Sequence, residues 1–179
     1  MTYRNGVYIA FNGCGTNIPT ESDIRYYNIL KAWNNNDGID FNFVNSHEKT
    51  YQVKDTSSES TLKGRLSERL KDSKSLLLIV TENTKNCSEI LEHEIVEAVD
   101  KRQIPIIVAY TDSVTYGDQN QLPEVLKERI KNKTAKIIYV KFEKDEIKWA
   151  IDNFGVNDVL GKKNAIYRYD RKSNSAILH

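Results

Sequence analysis

The chain has 179 residues, enough for one domain with a sizeable core. Apolar residues make up 39% and charged residues 28%, the balance of a globular protein rather than a disordered one. With 26 basic and 25 acidic side chains the net charge is +1, which leaves no electrostatic footprint for nucleic acid or an anionic membrane. No apolar run reaches the length of a bilayer span and the first residues do not form a signal peptide, so the expectation is a cytoplasmic protein. Two cysteines, Cys14 and Cys87, make no disulfide framework, and no CxxC or HxxxH pattern suggests a metal site.

In chain order, Val7–Phe11 (VYIAF) reads as a short apolar strand and Asn12-Gly13-Cys14-Gly15 as a loop that allows close backbone approach. Thr20, with Asp23 three residues on, resembles a capping box opening a helix that runs to about Asn34. Ile24, Tyr27, Ile29 or Leu30, and Ala32–Trp33 give that helix an apolar side, and NNNDG over 34–38 ends it. Phe41–Val44 is a second strand, with Asn45-Ser46-His47-Glu48 at its carboxyl end. Lys49 to Ser60 is polar and aperiodic, a loop. Leu62, Leu66 and Leu70 recur every four residues and mark a helix over 61–71.

The stretch from Ser75 to Tyr110 organises the rest. Leu76–Val80 and Ile104–Val108 are continuous apolar runs, as in strands covered on both faces. Between them Leu91, Ile95, Ala98, Val99 and Arg102 fall at helical spacing, which makes a strand–helix–strand crossover of a parallel sheet. After a polar loop over 111–121, Pro123 suits the first turn of a helix reaching about Asn132. Lys136–Phe142 (KIIYVKF) is a fifth strand, Asp145–Asn153 a last helix, and 161–179 a polar, basic tail. The spacing predicts one α/β domain with its core over about 5–155, a flavodoxin-like, doubly wound, five-stranded parallel sheet of order 2-1-3-4-5. Ligands of such sheets bind beyond the carboxyl ends of the strands, so Asn12–Gly15, Asn45–Glu48 and Thr81–Glu94 should converge.

Several nucleotide-site motifs fail. Gly13-x-Gly15 begins like a dinucleotide fingerprint, but Ile18 stands where the third glycine is needed. GxxxxGK[ST] is absent, and the acids of a phosphoacceptor receiver are replaced by Asn12-Gly13 and Thr81-Glu82. What remains at the crevice is acid, amide and imidazole: Glu94, Asn12, Asn45, Ser46 and His47. A carboxylate in a partly apolar cleft, without a metal or a nucleophilic Ser or Cys, suits chemistry at an anomeric carbon, where it stabilises an oxocarbenium-like transition state. Glu89, Glu92, Glu94 and Glu97 share the first turns of one helix, and all of them equally suit the helix dipole and water. Glu94 differs in its place beside Ile95 and four residues after Ile90, at the border of the buried face. His93 points about 100° away from it around the helix.

Three places carry a family resemblance: AFNG at 10–13 with YYNILKAW at 26–33, FNFVNSHE at 41–48, and EHEI at 92–95. As a set, over about Val7 to Phe142, they resemble the bacterial TIR-like family of Thoeris anti-phage defence, typified by ThsB. The resemblance implies a catalytic glutamate on the third helix, matched by Glu94. It implies cleavage of the nicotinamide–ribose bond of NAD, with NAD as substrate and no bound cofactor or metal. The ADP-ribose product, cyclised or conjugated, would diffuse as a signal to a separate effector. The resemblance leaves room for a homo-oligomer formed on activation and for a phage-derived activator. Many TIR enzymes carry a tryptophan one turn before the glutamate, where Ile90 stands, so an aromatic wall would have to come from elsewhere, with Phe11 the candidate. The expected substrate contacts are Phe11, Asn12, Gly13, Asn45, Ser46, His47, Cys87 and Ile90. Two rivals stand beside this reading. One is a nucleoside deoxyribosyltransferase-like enzyme, which also sets a glutamate at a ribose anomeric carbon; the other is a non-catalytic TIR-type interaction module.

Overall fold

A computed structural model describes residues 4–14, 20, 22–36, 43–44 and 59–179. Its strands are β1 (Gly6–Ala10), β2 (Phe43–Val44), β3 (Ser73–Val80), β4 (Ile106–Tyr110), β5 (Ile137–Lys141), β6 (Ile166–Asp170) and β7 (Ser175–Leu178). They form one sheet of order β2-β1-β3-β4-β5-β6-β7. The first five pair in parallel in the expected order, so the fold is flavodoxin-like α/β. The helices are α1 (Ile24–Asn36), α2 (Glu59–Lys71), α3 (Glu89–Val96), α4 (Glu124–Lys131) and α5 (Lys144–Asn153). Among the described residues no helix is long and apolar enough to cross a membrane.

Alternation along each strand divides the core into two layers. Tyr8, Ala10, Leu76, Leu78 and Val80 face Leu66 and Leu70 of α2, Leu91 and Ile95 of α3, and Leu126 of α4. Val7, Ile9, Phe11, Leu77 and Ile79 face Tyr27 and Leu30 of α1 and Ile147, Ala150 and Ile151 of α5. From β1 the chain steps outward to β2, whereas β3, β4 and β5 follow one another in the opposite direction. Right-handed connections therefore put α1 on one face and α3 and α4 on the other. Helix α5 lies on the α1 face, where it covers Ile138 and Val140, so the connection to β6 is left-handed. The long return over 154–165 relieves the usual constraint on a tight crossover.

Residues 161–179 do not form the expected tail. They fold into the hairpin β6–β7, with β6 parallel to β5 and β7 antiparallel to β6. Aromatic packing provides the reason. In the alternating run Ile166-Tyr167-Arg168-Tyr169-Asp170, Tyr167 meets Phe154 at 5.7 Å and Tyr169 meets Trp149 of α5 at 4.8 Å between ring centres. Asn174, with φ 47°, makes the left-handed step of the turn, and Asp170 accepts from the Ser173 amide at 2.9 Å.

Candidate active site

Helix α3 begins where β3 ends, on the ligand-binding edge of the sheet. Ser88 caps it, its Oγ accepting from the Leu91 amide at 3.4 Å, and Glu89 and Glu92 suit the positive end of the helix dipole. Leu91, Ile95 and Ala98 carry the apolar stripe into the core, and Glu94 lies within that stripe. The α-helix then widens into a π turn over Glu97–Lys101, with the Arg102 amide donating to the Glu97 carbonyl at 3.0 Å. Such extra-residue turns recur beside functional sites because they re-aim the side chains that follow.

Glu94 is not at the border of the buried face, as expected, but 2% exposed. Its Oε1 accepts a hydrogen bond of 2.6 Å from the Tyr8 hydroxyl of β1, a residue that is itself fully buried. Among the described residues no other group hydrogen-bonds the Glu94 carboxyl and no cation pairs with it. Burial pushes its pKa up from 4.5 to about 8, and the Tyr8 bond only partly opposes this. Burial and the neighbouring acid together hold the Tyr8 phenol well above its ordinary range, so it stays a donor. A carboxyl neutral at pH 7, in an apolar wall at the ligand edge of an α/β sheet, is the kind of group that general-acid and oxocarbenium chemistry uses.

A second buried acid stands at the carboxyl end of β3. Asp23, expected as part of a capping box, is 1% exposed and accepts from Thr81 Oγ1 at 2.8 Å. Burial raises its pKa too, against the hydrogen bonds from Thr81 and Asn83. Just before α1, Ser22 Oγ accepts from the Ile24 amide at 3.3 Å, a local side-chain turn. Beside this cluster opens a cavity of about 340 Å³, lined by Asn12, Cys14, Asn83, Asn86 and Ser88. Among the described residues that lining is uncharged, and Glu94 is not part of it.

The expected contacts fare unevenly. Asn12 is buried, and its amide braces the wall, donating to the carbonyls of Asn83 at 2.8 Å and Asn86 at 3.4 Å while its Oδ1 accepts from the Cys14 amide. Phe11 stacks on Tyr27 at 5.7 Å on the face opposite Glu94, so the aromatic residue that meets the glutamate is Tyr8. Strand alternation explains this: residues 7, 9 and 11 share one side, 8 and 10 the other. A Cβ at Gly13 would meet no described residue within 4 Å. Cys87 and Ile90 pack, half-buried, against the α3 side of the core. His93 turns to Ser67 of α2, 3.4 Å away, and not to Glu94. Asn45, Ser46 and His47 lie outside the described residues. Among the described residues no three His, Cys, Asp or Glu side chains group to hold a metal ion. Tyr8 was absent from the expected set. The signal for it was a lone hydroxyl in an otherwise apolar strand, which must find a partner once buried.

One comparison with known families bears on this geometry. The TIR-like domain of the Thoeris protein ThsB matches residues 8–116, more than half of the chain. The match runs from Tyr8 through α3 to the loop after β4 and contains both members of the buried pair. The chain thus belongs to the ThsB TIR-like family of Thoeris defence.

Proposed function

We propose that this TIR-type defence protein cleaves the nicotinamide–ribose bond of NAD and releases an ADP-ribose-derived, cyclic signal. The observation that carries the reading is Glu94, buried and, among the described residues, paired with a phenol alone, on the helix that opens at the ligand edge. In the reaction the bond between the ribose anomeric carbon and the ring nitrogen breaks, and its electrons neutralise the departing nicotinamide. Glu94 as carboxylate faces the oxocarbenium cation that remains and accepts hydrogen bonds from the ribose hydroxyls. Water attacking that carbon yields ADP-ribose, whereas a ring nitrogen or hydroxyl of the same molecule yields a cyclic isomer. With a pKa near 8, roughly one Glu94 in ten is ionised at pH 7 in the free protein. The positive nicotinamide ring favours ionisation on binding, and turnover rises with pH toward 8. Asn12, Gly13, Asn45, Ser46, His47, Cys87 and Ile90 are the proposed substrate surroundings. NAD is the substrate rather than a resident cofactor, and the product reaches a separate effector by diffusion, with assembly of the protein or a phage-derived trigger switching it on.

The described part of the cavity lining carries no charge, which favours a second reading, glycosyl transfer on a neutral nucleoside. Both readings use Glu94 at an anomeric carbon. Mass spectrometry of the purified protein with NAD, and separately with a panel of deoxynucleosides, distinguishes them. A new ADP-ribose species from NAD supports the first, and base exchange on nucleosides alone replaces it with the second. Silence on both, together with cells in which Glu94→Ala still defends against phage, would leave an interaction module.

A further inference from the structure

Resting on the reading of Glu94 as the reacting carboxyl, we propose that Tyr8 is its positioning residue, taking Oε1, fixing the carboxyl plane and leaving Oε2 to meet the ribose. The geometry carries this. A glutamate carboxyl rotates almost freely about its last torsion, so an unanchored one presents its oxygens over a broad arc. Here the anchor is a phenol on β1, a strand paired on both sides by β2 and β3, at 2.6 Å from Oε1. Both residues are buried, and the hydroxyl has no structural need to exist, because phenylalanine would fill the same apolar layer without a polar atom to satisfy.

The charged groups that the described residues bring around the pair leave the task to Tyr8. Arg69 on α2 acts on the phenol, weakly favouring its ionised form. On the glutamate's own helix, Glu97 is neutralised by Lys101 and Arg102, and His93 faces Ser67. Strand β3 presents Leu76 and Leu78. A hydrogen bond that strengthens to a carboxylate also holds the charge that Glu94 carries as nicotinamide departs.

The test is Tyr8→Phe, read by the ¹³C carboxyl resonances of labelled glutamate, with Glu94→Gln to assign the signal, and by NAD turnover. The expected result is a Glu94 titration shifted upward by about one to two pH units, the reach of a hydrogen bond to a charged group. At pH 7 kcat should fall by roughly 10- to 100-fold, with KM within about twofold. In place of Tyr8, 3-fluorotyrosine, a stronger donor of similar size, should move the titration downward, which keeps the test open if Tyr8→Phe does not fold. A role in packing alone would lower thermal stability and leave the titration where it was. An unmoved titration in the folded variants, or unchanged kcat in Tyr8→Phe, overturns the proposal. If wild type turns over no NAD, the titration still decides whether Tyr8 governs Glu94, and the missing turnover counts against the enzymatic reading alone.

Discussion

Glu94 and Glu97 lie about one turn apart on the central crossover, at 2% and 1% exposure, in regions that treat a buried carboxyl in opposite ways. In the π turn, Glu97 receives Lys101 at 2.8 Å on one oxygen and Arg102 at 2.9 Å on the other. Burial pushes its pKa up, but those two cations more than reverse this and leave it lowered. In the α turn above β1, Glu94 receives one neutral hydroxyl and its pKa rises to about 8. The difference teaches which acid serves the fold. A carboxyl matched by cations stays ionised and contributes to stability, whereas one set among apolar side chains with a phenol costs stability and is kept for chemistry.

The sharpest way to break the comparison is Glu94→Gln, which should have the largest effect on turnover, a loss of about a thousandfold or more. The same substitution should stabilise the protein. Between pH 4.5 and 8 the folded form holds a proton on Glu94 that the unfolded chain has released, so stability falls as pH rises across that window. At pH 7 the accumulated cost is on the order of 3 kcal/mol, which glutamine avoids while still accepting from Tyr8. Denaturant melts at pH 5 and pH 8 should show the advantage of the variant widening with pH.

Glu97→Gln should do the reverse, leaving kcat unchanged and destabilising by about 1–2 kcal/mol, since Lys101 is mostly exposed and its share is screened. Because the folded pKa of Glu97 is lowered, its contribution is present above the unfolded value and disappears as pH falls through the folded one. Melts near neutrality and below pH 4 check this. Asn12→Ala should be milder still, costing about 1 kcal/mol and raising KM several-fold as the wall of Asn83 and Asn86 loosens. The smallest effect on the fold belongs to Gly13→Ala, whose added methyl meets no atom of the described residues within 4 Å. Its stability should stay within roughly 0.5 kcal/mol of wild type, and a raised KM would report NAD against that backbone.

How much of this was legible in the sequence follows from which interactions are local. The runs at 76–80 and around 104–110 announce parallel strands because a doubly covered strand has no polar face, and the strand order followed from their alternation with helices. Glu94 was legible as an acid next to Ile95 in an apolar stripe, although its full burial was not. Tyr8 was hidden because its partner lies 86 residues away, and a tyrosine in VYIAF reads as plain core until the neighbouring strands are known. Asp23 looked like a cap because Thr20 is three residues earlier, yet its carboxyl turns inward to Thr81 of β3. The β6–β7 hairpin escaped because each aromatic alternates with a charged residue, and its burial depends on Trp149 and Phe154 from another element. The π turn over 97–101 is a backbone event with no side-chain signature.

The most direct test of the central claim is NAD turnover by wild type and Glu94→Gln, followed by mass spectrometry at pH 8 on samples matched for folded protein. The account expects an ADP-ribose-derived product from wild type and none from a variant that is folded and more stable. A Glu94→Gln protein that still makes that product at the wild-type rate would contradict it.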